Sequence, residues 1–274
     1  MYIAVWKPGF RPAALLVLAF GVSCCAETLQ VDLAPEALLK TRLESGAVSM
    51  KQRETAIEQL FLEAGCRAGE QPISKHAGDV VCTLPGETGS TIVVGGHFDF
   101  VERGKGIVDD WSGASLLPTL YQSLKNLPRH HTYVFVAFAD EERGLVGSSK
   151  FVKSMSADEK AHITAFINLE CLGLSPPKVW TNRSAKTLVL RLSEVSHAIN
   201  IDLLGANVDL IGDDDTHPFF SARIPVISIH SLTQGTLNVL HSRRDRVSAI
   251  DLGDYYSAYK LVAYYLAYLD VKEQ

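Results

Sequence analysis

One run constrains this chain more than any other: Thr132-Tyr-Val-Phe-Val-Ala-Phe-Ala-Asp-Glu-Glu142, in which an apolar stretch rich in β-branched and aromatic residues ends on three adjacent carboxylates. The apolar part reads as a buried strand. Adjacent carboxylates repel one another and resist desolvation, so they persist at the foot of a buried strand only where a cation or a shared proton offsets that cost. A bound metal is the simplest candidate.

The same pattern recurs along the chain. Residues 91–96 form an apolar run that leads into His97, and residues 163–169 form another that leads into Glu170. Further strands are predicted at 79–84, closed by the turn signal Pro85-Gly86, at 133–139 and at 224–229. Helices are predicted at 50–64, where Ile57, Leu60, Phe61 and Ala64 share a face and Gly65 provides a stop, and at 112–127, with Pro118 forcing a late start or a kink. Others are predicted at 146–155 and 185–199, and a final helix carries Leu252, Tyr255, Tyr256, Tyr259, Val262, Ala263 and Leu266 on its buried face. Strand and helix alternate throughout. This predicts an α/β fold, a mixed, mostly parallel central sheet flanked by helices on both faces, with polar residues collected at the strand C-termini.

The chain has 274 residues, 47% of them hydrophobic, and suits a single sizeable core. A net charge of -5 argues against nucleic acid as a partner. The one basic cluster, Arg243-Arg244 with Arg246, is interrupted by Asp245 and reads as solvated surface charge. Residues 1–26 stand apart: Lys7 and Arg11 precede an apolar run at 13–22 and then Ser23-Cys24-Cys25-Ala26, the pattern of a secretory signal peptide. A single domain at 27–274 follows. Gly21-Val22-Ser23-Cys24 also loosely resembles a lipobox, so membrane attachment is expected only through lipidation at Cys24. Export to the periplasm or the extracellular space makes a disulfide between Cys66 and Cys82 plausible, and Cys171 reads as a packed small hydrophobe.

Three strand ends therefore carry His97-x-Asp99, Asp140-Glu141-Glu142 and Glu170, and the loop between the first two carries Asp109-Asp110. Imidazole and carboxylate donors suit zinc, several carboxylates around one crevice suit two ions, and the late His241 could close the ligand set of the second ion.

These blocks, in this order, resemble the zinc aminopeptidases of clan MH, the co-catalytic dizinc exopeptidases to which glutaminyl cyclases are related. The resemblance spans roughly residues 50–270. It rests on Gly95-Gly-His-Phe-Asp99, Asp109-Asp-Trp-Ser-Gly113, Asp140-Glu-Glu-Arg-Gly-Leu-Val-Gly147, Asn168-Leu-Glu170 and His241. It implies one zinc held by His97 and Glu170, a second held by Glu142 and His241, Asp109 bridging them, Asp99 orienting His97, and Glu141 as general base. The expected activity is hydrolysis of the N-terminal peptide bond of a peptide or aminoacyl substrate through a metal-bridging hydroxide. Where the family usually has Asp, this chain has the longer Glu170, so the expectation is two zinc ions, or one if Glu170 does not ligate.

Asp213-Asp-Asp-Thr-His-Pro-Phe219 resembles the family's substrate-side loop and marks Asp215 and His217 as candidate substrate-binding residues. The same loop is similar to that of animal-type glutaminyl cyclases, whose single zinc would correspond to Asp109, Glu142 and His241. Two alternatives to the peptidase are therefore a cyclase forming N-terminal pyroglutamate and a catalytically silent binding domain of the same fold. Leu240, where cyclases place Trp, and the peptidase-like blocks around Asp109 and Glu141 favour hydrolysis.

Overall fold

A computed structural model of the chain describes residues 31–46, 49–73, 77–209 and 212–272. The leader at 1–26, with Cys24, lies outside the described residues.

Eight strands form one sheet: β1 (Gly69–Pro72), β2 (Gly78–Leu84), β3 (Thr91–His97), β4 (Thr132–Phe138), β5 (Ile163–Glu170), β6 (Lys178–Val179), β7 (Leu204–Gly205) and β8 (Val226–His230). Their spatial order is β1-β2-β4-β3-β5-β8-β6-β7. The central four, β4-β3-β5-β8, run parallel, whereas β2 joins β4 and β6 joins β8 antiparallel. The sheet is thus mixed and mostly parallel, as the alternating sequence pattern predicts.

Nine helices cover it among the described residues: α1 (Glu36–Glu44), α2 (Met50–Ala64), α3 (Ser112–Ala114), α4 (Leu117–Leu124), α5 (Val146–Ser154), α6 (Ala157–His162), α7 (Lys186–Ala198), α8 (Thr216–Ser221) and α9 (Leu252–Lys272). The strands bury alternate residues on opposite faces, as their period of two requires. Tyr133, Phe135, Ala137, Ala165, Ile167 and Ile229 join the larger core, with residues of α2, α4, α7 and α9. Val136, Phe138, Phe166 and Val226 join a smaller core with Phe151 of α5 and Phe219 of α8. There the Phe166 and Phe219 rings stack at 3.8 Å, and Phe138 meets both edge-on at 6.1 and 6.3 Å.

Helix α2 spans the residues its periodicity predicts. The Ser49 side chain accepts the Gln52 N–H at its start, and Gly65 ends it in the left-handed region at φ 99. Cys66, directly after that cap, is joined by a disulfide to Cys82 of β2. The helical stretch predicted over 112–127, with a late start or a kink at Pro118, is divided into α3 and α4. A π-type turn at Ile107–Trp111 holds Asp109 and Asp110 in non-helical conformations, and α4 begins only at Leu117, with Pro118 in its first turn where a missing N–H costs nothing. Among the described residues no helix is long and apolar enough to cross a membrane.

Candidate metal centre

Because β3, β4 and β5 are parallel neighbours, their C-terminal ends lie side by side. His97 pairs with Phe138 in register, two residues before Asp140, and Glu170 closes β5 opposite His230 of β8. The turn after β4 brings Glu141 and Glu142 over this edge. Asp99 fixes that turn, its two carboxylate oxygens accepting the Glu141 N–H at 2.9 Å and the Glu142 N–H at 3.0 Å. The same Asp99 carboxylate lies 3.3 Å from His97 Nδ1, at ion-pair distance but without hydrogen-bond alignment.

Asp109 sits between two imidazoles. Its Oδ1 is 3.2 Å from His97 Nε2 and its Oδ2 is 3.1 Å from His241 Nε2. On the His97 side, Glu170 Oε1 lies 3.6 Å and Glu141 Oε2 3.9 Å from the same Nε2. On the other side, Glu142 Oε2 lies 3.1 Å from His241 Nε2. The peptide bond between Asp109 and Asp110 is cis. Asp109, Glu142 and His241 offer donor atoms all within 4.8 Å of one another, as do His97, Asp110 and Glu170. The structure thus brings together His97, Asp99, Asp109, Glu141, Glu142, Glu170 and His241.

The donor set fits divalent metal. Asp109, Asp110, Glu141, Glu142 and Glu170 gather around the His97 and His241 imidazoles, and Glu142 Oε1 is buried with no hydrogen-bond partner. Electrostatics record the same deficit of positive charge. Burial pushes Glu141 up to about 10 and Glu142 up to about 7, with neighbouring carboxylates adding to it and His97 opposing. His241 is raised to about 9, chiefly by its contact with Asp109. Burial alone would favour neutral His97, but Glu141, Asp109, Asp99 and Glu170 outweigh it and raise the imidazole. Burial also works against the Asp109 carboxylate, yet His241 and His97 hold it below the ordinary range. Cations placed between these oxygens would remove the repulsion.

A cavity of about 260 Å³ opens onto the centre. Its floor is His97, Asp109, Glu141, Glu142, Glu170 and His241, and Trp180, Val208, Leu232, Leu237 and Leu240 give it an apolar wall. Asp213 and Asp214 also line it. Asp215 is fully buried, is not among the lining residues, and raises Glu141. His217 is half-exposed, sits 3.0 Å from Asp213 Oδ2, and is not among the cavity-lining residues.

Several residues at the site escaped the sequence reading. Asp110, which the sequence places beside Asp109 without a role of its own, is fully buried and accepts N–H groups from His97, Gly113 and Cys171, so it ties β3, α3 and the end of β5 together. Asp214 accepts Ser228 Oγ at 2.6 Å and Asn168 Nδ2 at 3.3 Å, and that Asn168 amide also lies 3.3 Å from Glu170 Oε2. Asp245, read as part of a surface charge cluster, is buried while Arg243, Arg244 and Arg246 are exposed. Cys171 is buried as expected, but its thiol donates to Glu170 Oε1 at 3.2 Å.

A helix-covered α/β sheet whose parallel strand ends collect imidazoles and carboxylates around one cleft defines an α/β protein with a metal-type donor cluster at its strand C-termini. Residues 79–266 match Peptidase family M28, and the chain belongs to that family. Over 150 residues it is 30% identical to leupeptin-inactivating enzyme 1 of Streptomyces exfoliatus, an alignment covering 53% of this chain and 34% of that protein. The fold is similar to that of BSAP, a zinc aminopeptidase from Bacillus subtilis, with a TM-score of 0.66 and 23% identity over 72% of this chain and 51% of that one. It is also similar to Porphyromonas gingivalis glutaminyl cyclase, with a TM-score of 0.70 and 16% identity over 86% of this chain and 98% of that one. The chain therefore spans about a third of the Streptomyces protein and about half of the Bacillus one.

Proposed function

We propose that this chain is an exported zinc aminopeptidase that releases the N-terminal residue of a peptide. The observation that carries the reading is Asp109, whose two oxygens face His97 at 3.2 Å and His241 at 3.1 Å, with Glu170 on one side and Glu142 on the other. That arrangement supports two adjacent zinc ions, one held by His97, Asp109 and Glu170 and the other by Asp109, Glu142 and His241. Zinc, when bound, supplies Lewis-acid polarisation of the scissile carbonyl and of water.

The chain's own residues supply the rest. Glu141, beside the His97 end of the centre, takes a proton from the attacking water and returns it to the leaving amine nitrogen. Asp99 fixes Glu141 and Glu142 through their backbone N–H groups, so one carboxylate positions both base and ligand. The apolar wall of Trp180, Val208, Leu232, Leu237 and Leu240 suits an uncharged side chain on the first residue, while the carboxylate-rich floor suits its cationic α-amine. Asp215, fully buried, is one of the neighbouring carboxyl groups that raise Glu141. Residues 27–274 are proposed as one domain behind a removed leader, and the Cys66–Cys82 disulfide agrees with an oxidising compartment.

Asp109, Glu142 and His241 alone would also serve a single-zinc glutaminyl cyclase. Convergence of His97 and Glu170 on the same Asp109 favours the two-metal hydrolase. The test is zinc stoichiometry of the purified protein together with a panel of aminoacyl anilides and a Gln-initiated peptide. Two zinc ions and anilide cleavage support the peptidase. One zinc with loss of ammonia from the Gln peptide supports the cyclase, and no metal with no turnover supports a silent binding domain. In the active protein, Glu141→Gln is expected to retain zinc and lose about 10²- to 10⁴-fold in turnover, and preserved turnover removes Glu141 from the base role.

A further inference from the structure

Arg53 lies outside the residues 79–266 that match the family, yet it reaches the segment that carries the metal ligands. It projects from α2 and is 0% exposed. Its Nη1 donates to the Phe98 carbonyl at 2.9 Å, and its Nη2 donates to the carbonyls of Lys105 and, at 2.8 Å, Gly106. Phe98 immediately precedes Asp99, and Gly106 stands three residues before Asp109. One planar group thus fastens both ends of the 98–106 loop. Its position is fixed in turn by two rings, Phe100 at 4.3 Å and Trp111 at 5.3 Å from the guanidinium carbon.

Asp245 grips the same segment. Its Oδ1 accepts the Ile107 and Val108 N–H groups, each at 2.7 Å, and its backbone carbonyl accepts the Lys105 N–H at 3.0 Å. Asp245 lies four residues beyond His241. Residues 105–108 are therefore held between Arg53 and the loop that presents His241, and the carboxylates acting on Arg53 are Asp245, Asp99, Asp110 and Asp109. A residue needed only to fill the core would not require a charged fork that serves three carbonyls of the one loop joining His97 to Asp109. Desolvating a cation is costly, and the fork's fixed geometry is what an aliphatic side chain lacks.

We propose that Arg53 is a positioning residue for the metal centre: by fastening both ends of the 98–106 loop it fixes where Asp99 and the ligand Asp109 stand and, through Asp245, couples them to the seat of His241. The inference rests on the reading that these residues bind zinc. It makes α2, anchored beyond its C-terminus by the Cys66–Cys82 disulfide, part of the machinery that sets zinc affinity.

The test compares Arg53→Met, Arg53→Lys and Ile57→Ala, the last truncating a fully buried side chain on the same helix. Zinc affinity of each apoprotein is measured by competition with a chromophoric chelator, alongside thermal midpoints and turnover at increasing free zinc. Arg53→Met is expected to weaken zinc binding about 10- to 100-fold and to regain turnover when zinc is added in excess. Arg53→Lys should fall between it and the wild type. Ile57→Ala should lower the thermal midpoint while keeping wild-type zinc affinity. Wild-type zinc affinity in Arg53→Met overturns the proposal, as does an equal loss in Ile57→Ala. If Arg53→Met does not fold, Arg53→Lys decides: weakened zinc binding supports the proposal and unchanged binding overturns it. A wild type that binds zinc without cleaving aminoacyl substrates overturns the hydrolytic reading and leaves this one standing, whereas a wild type that binds no zinc overturns both.

Discussion

Replacing Asp79 by Asn should change how stability depends on pH. Asp79 stands at the start of β2, fully buried, and its Oδ1 accepts the Ala139 N–H at 2.9 Å, where β4 gives way to the carboxylate turn. Its Oδ2 has no partner. Burial, with the charges of Asp140 and Asp99, pushes its carboxyl from 3.8 to about 7, against the opposing effects of the Ala139 hydrogen bond and Lys150. The folded protein therefore holds this proton over a pH range in which the unfolded chain releases it. Stability falls as pH rises from the unfolded value towards the folded one, and is level above it. The gap is roughly three powers of ten in proton affinity, or roughly 4 kcal/mol at most.

Asn keeps the carbonyl oxygen that Ala139 needs and carries no ionisable proton. Any steric or hydrogen-bonding penalty it brings is the same at every pH, so it cannot imitate the titration. Urea unfolding of wild type and Asp79→Asn, run with chelator present from about pH 5 to about pH 8, isolates the effect as a difference between the two proteins. The variant should gain on the wild type as pH rises and the gain should level off above about pH 7. A difference that stays flat across this range refutes the claim that Asp79 is protonated in the fold.

Phe219→Ala should cost about 3–5 kcal/mol in denaturant unfolding, because it empties the centre of the smaller core, where Phe219 stacks on Phe166 and meets Phe138; a loss below about 1 kcal/mol would mean that α8 closes over the gap. Replacing both Cys66 and Cys82 by Ala, which removes a link across a sequence separation of 16, should cost about 3 kcal/mol. Equal unfolding midpoints with and without the disulfide would show that the helix α2 needs no such tether.

Wherever local pattern and burial coincide, the sequence is readable. The strands that carry His97, Glu141 and Glu170 show as apolar runs because both faces of each are covered, and α2 shows because a half-buried helix must repeat its apolar residues. Elements without that coincidence do not show. Strand β1 is Gly-Glu-Gln-Pro at the sheet edge, mostly exposed, and β6 and β7 are two residues each. The break in the predicted 112–127 helix was signalled by Pro118, but the non-helical pair Asp109 and Asp110 ahead of it was not.

At the site the division is similar. Residue type and order alone single out imidazoles and acids after buried strands, and with them the chemistry of metal binding. Residue type leaves open which of the two adjacent acids faces both imidazoles, and the resemblance points to Asp109; in the fold Asp109 lies between the two histidines, while Asp110 accepts backbone N–H groups. Arg53 and Asp245 had no local signature at all, since a cation on a helix and an acid among arginines both look solvated. Pattern along the chain reports burial and periodicity, which are local properties. The distance between two side chains far apart in sequence is set by how sheet and helices pack, so the spacing of the ligands and the groups that hold them there belong to the tertiary structure.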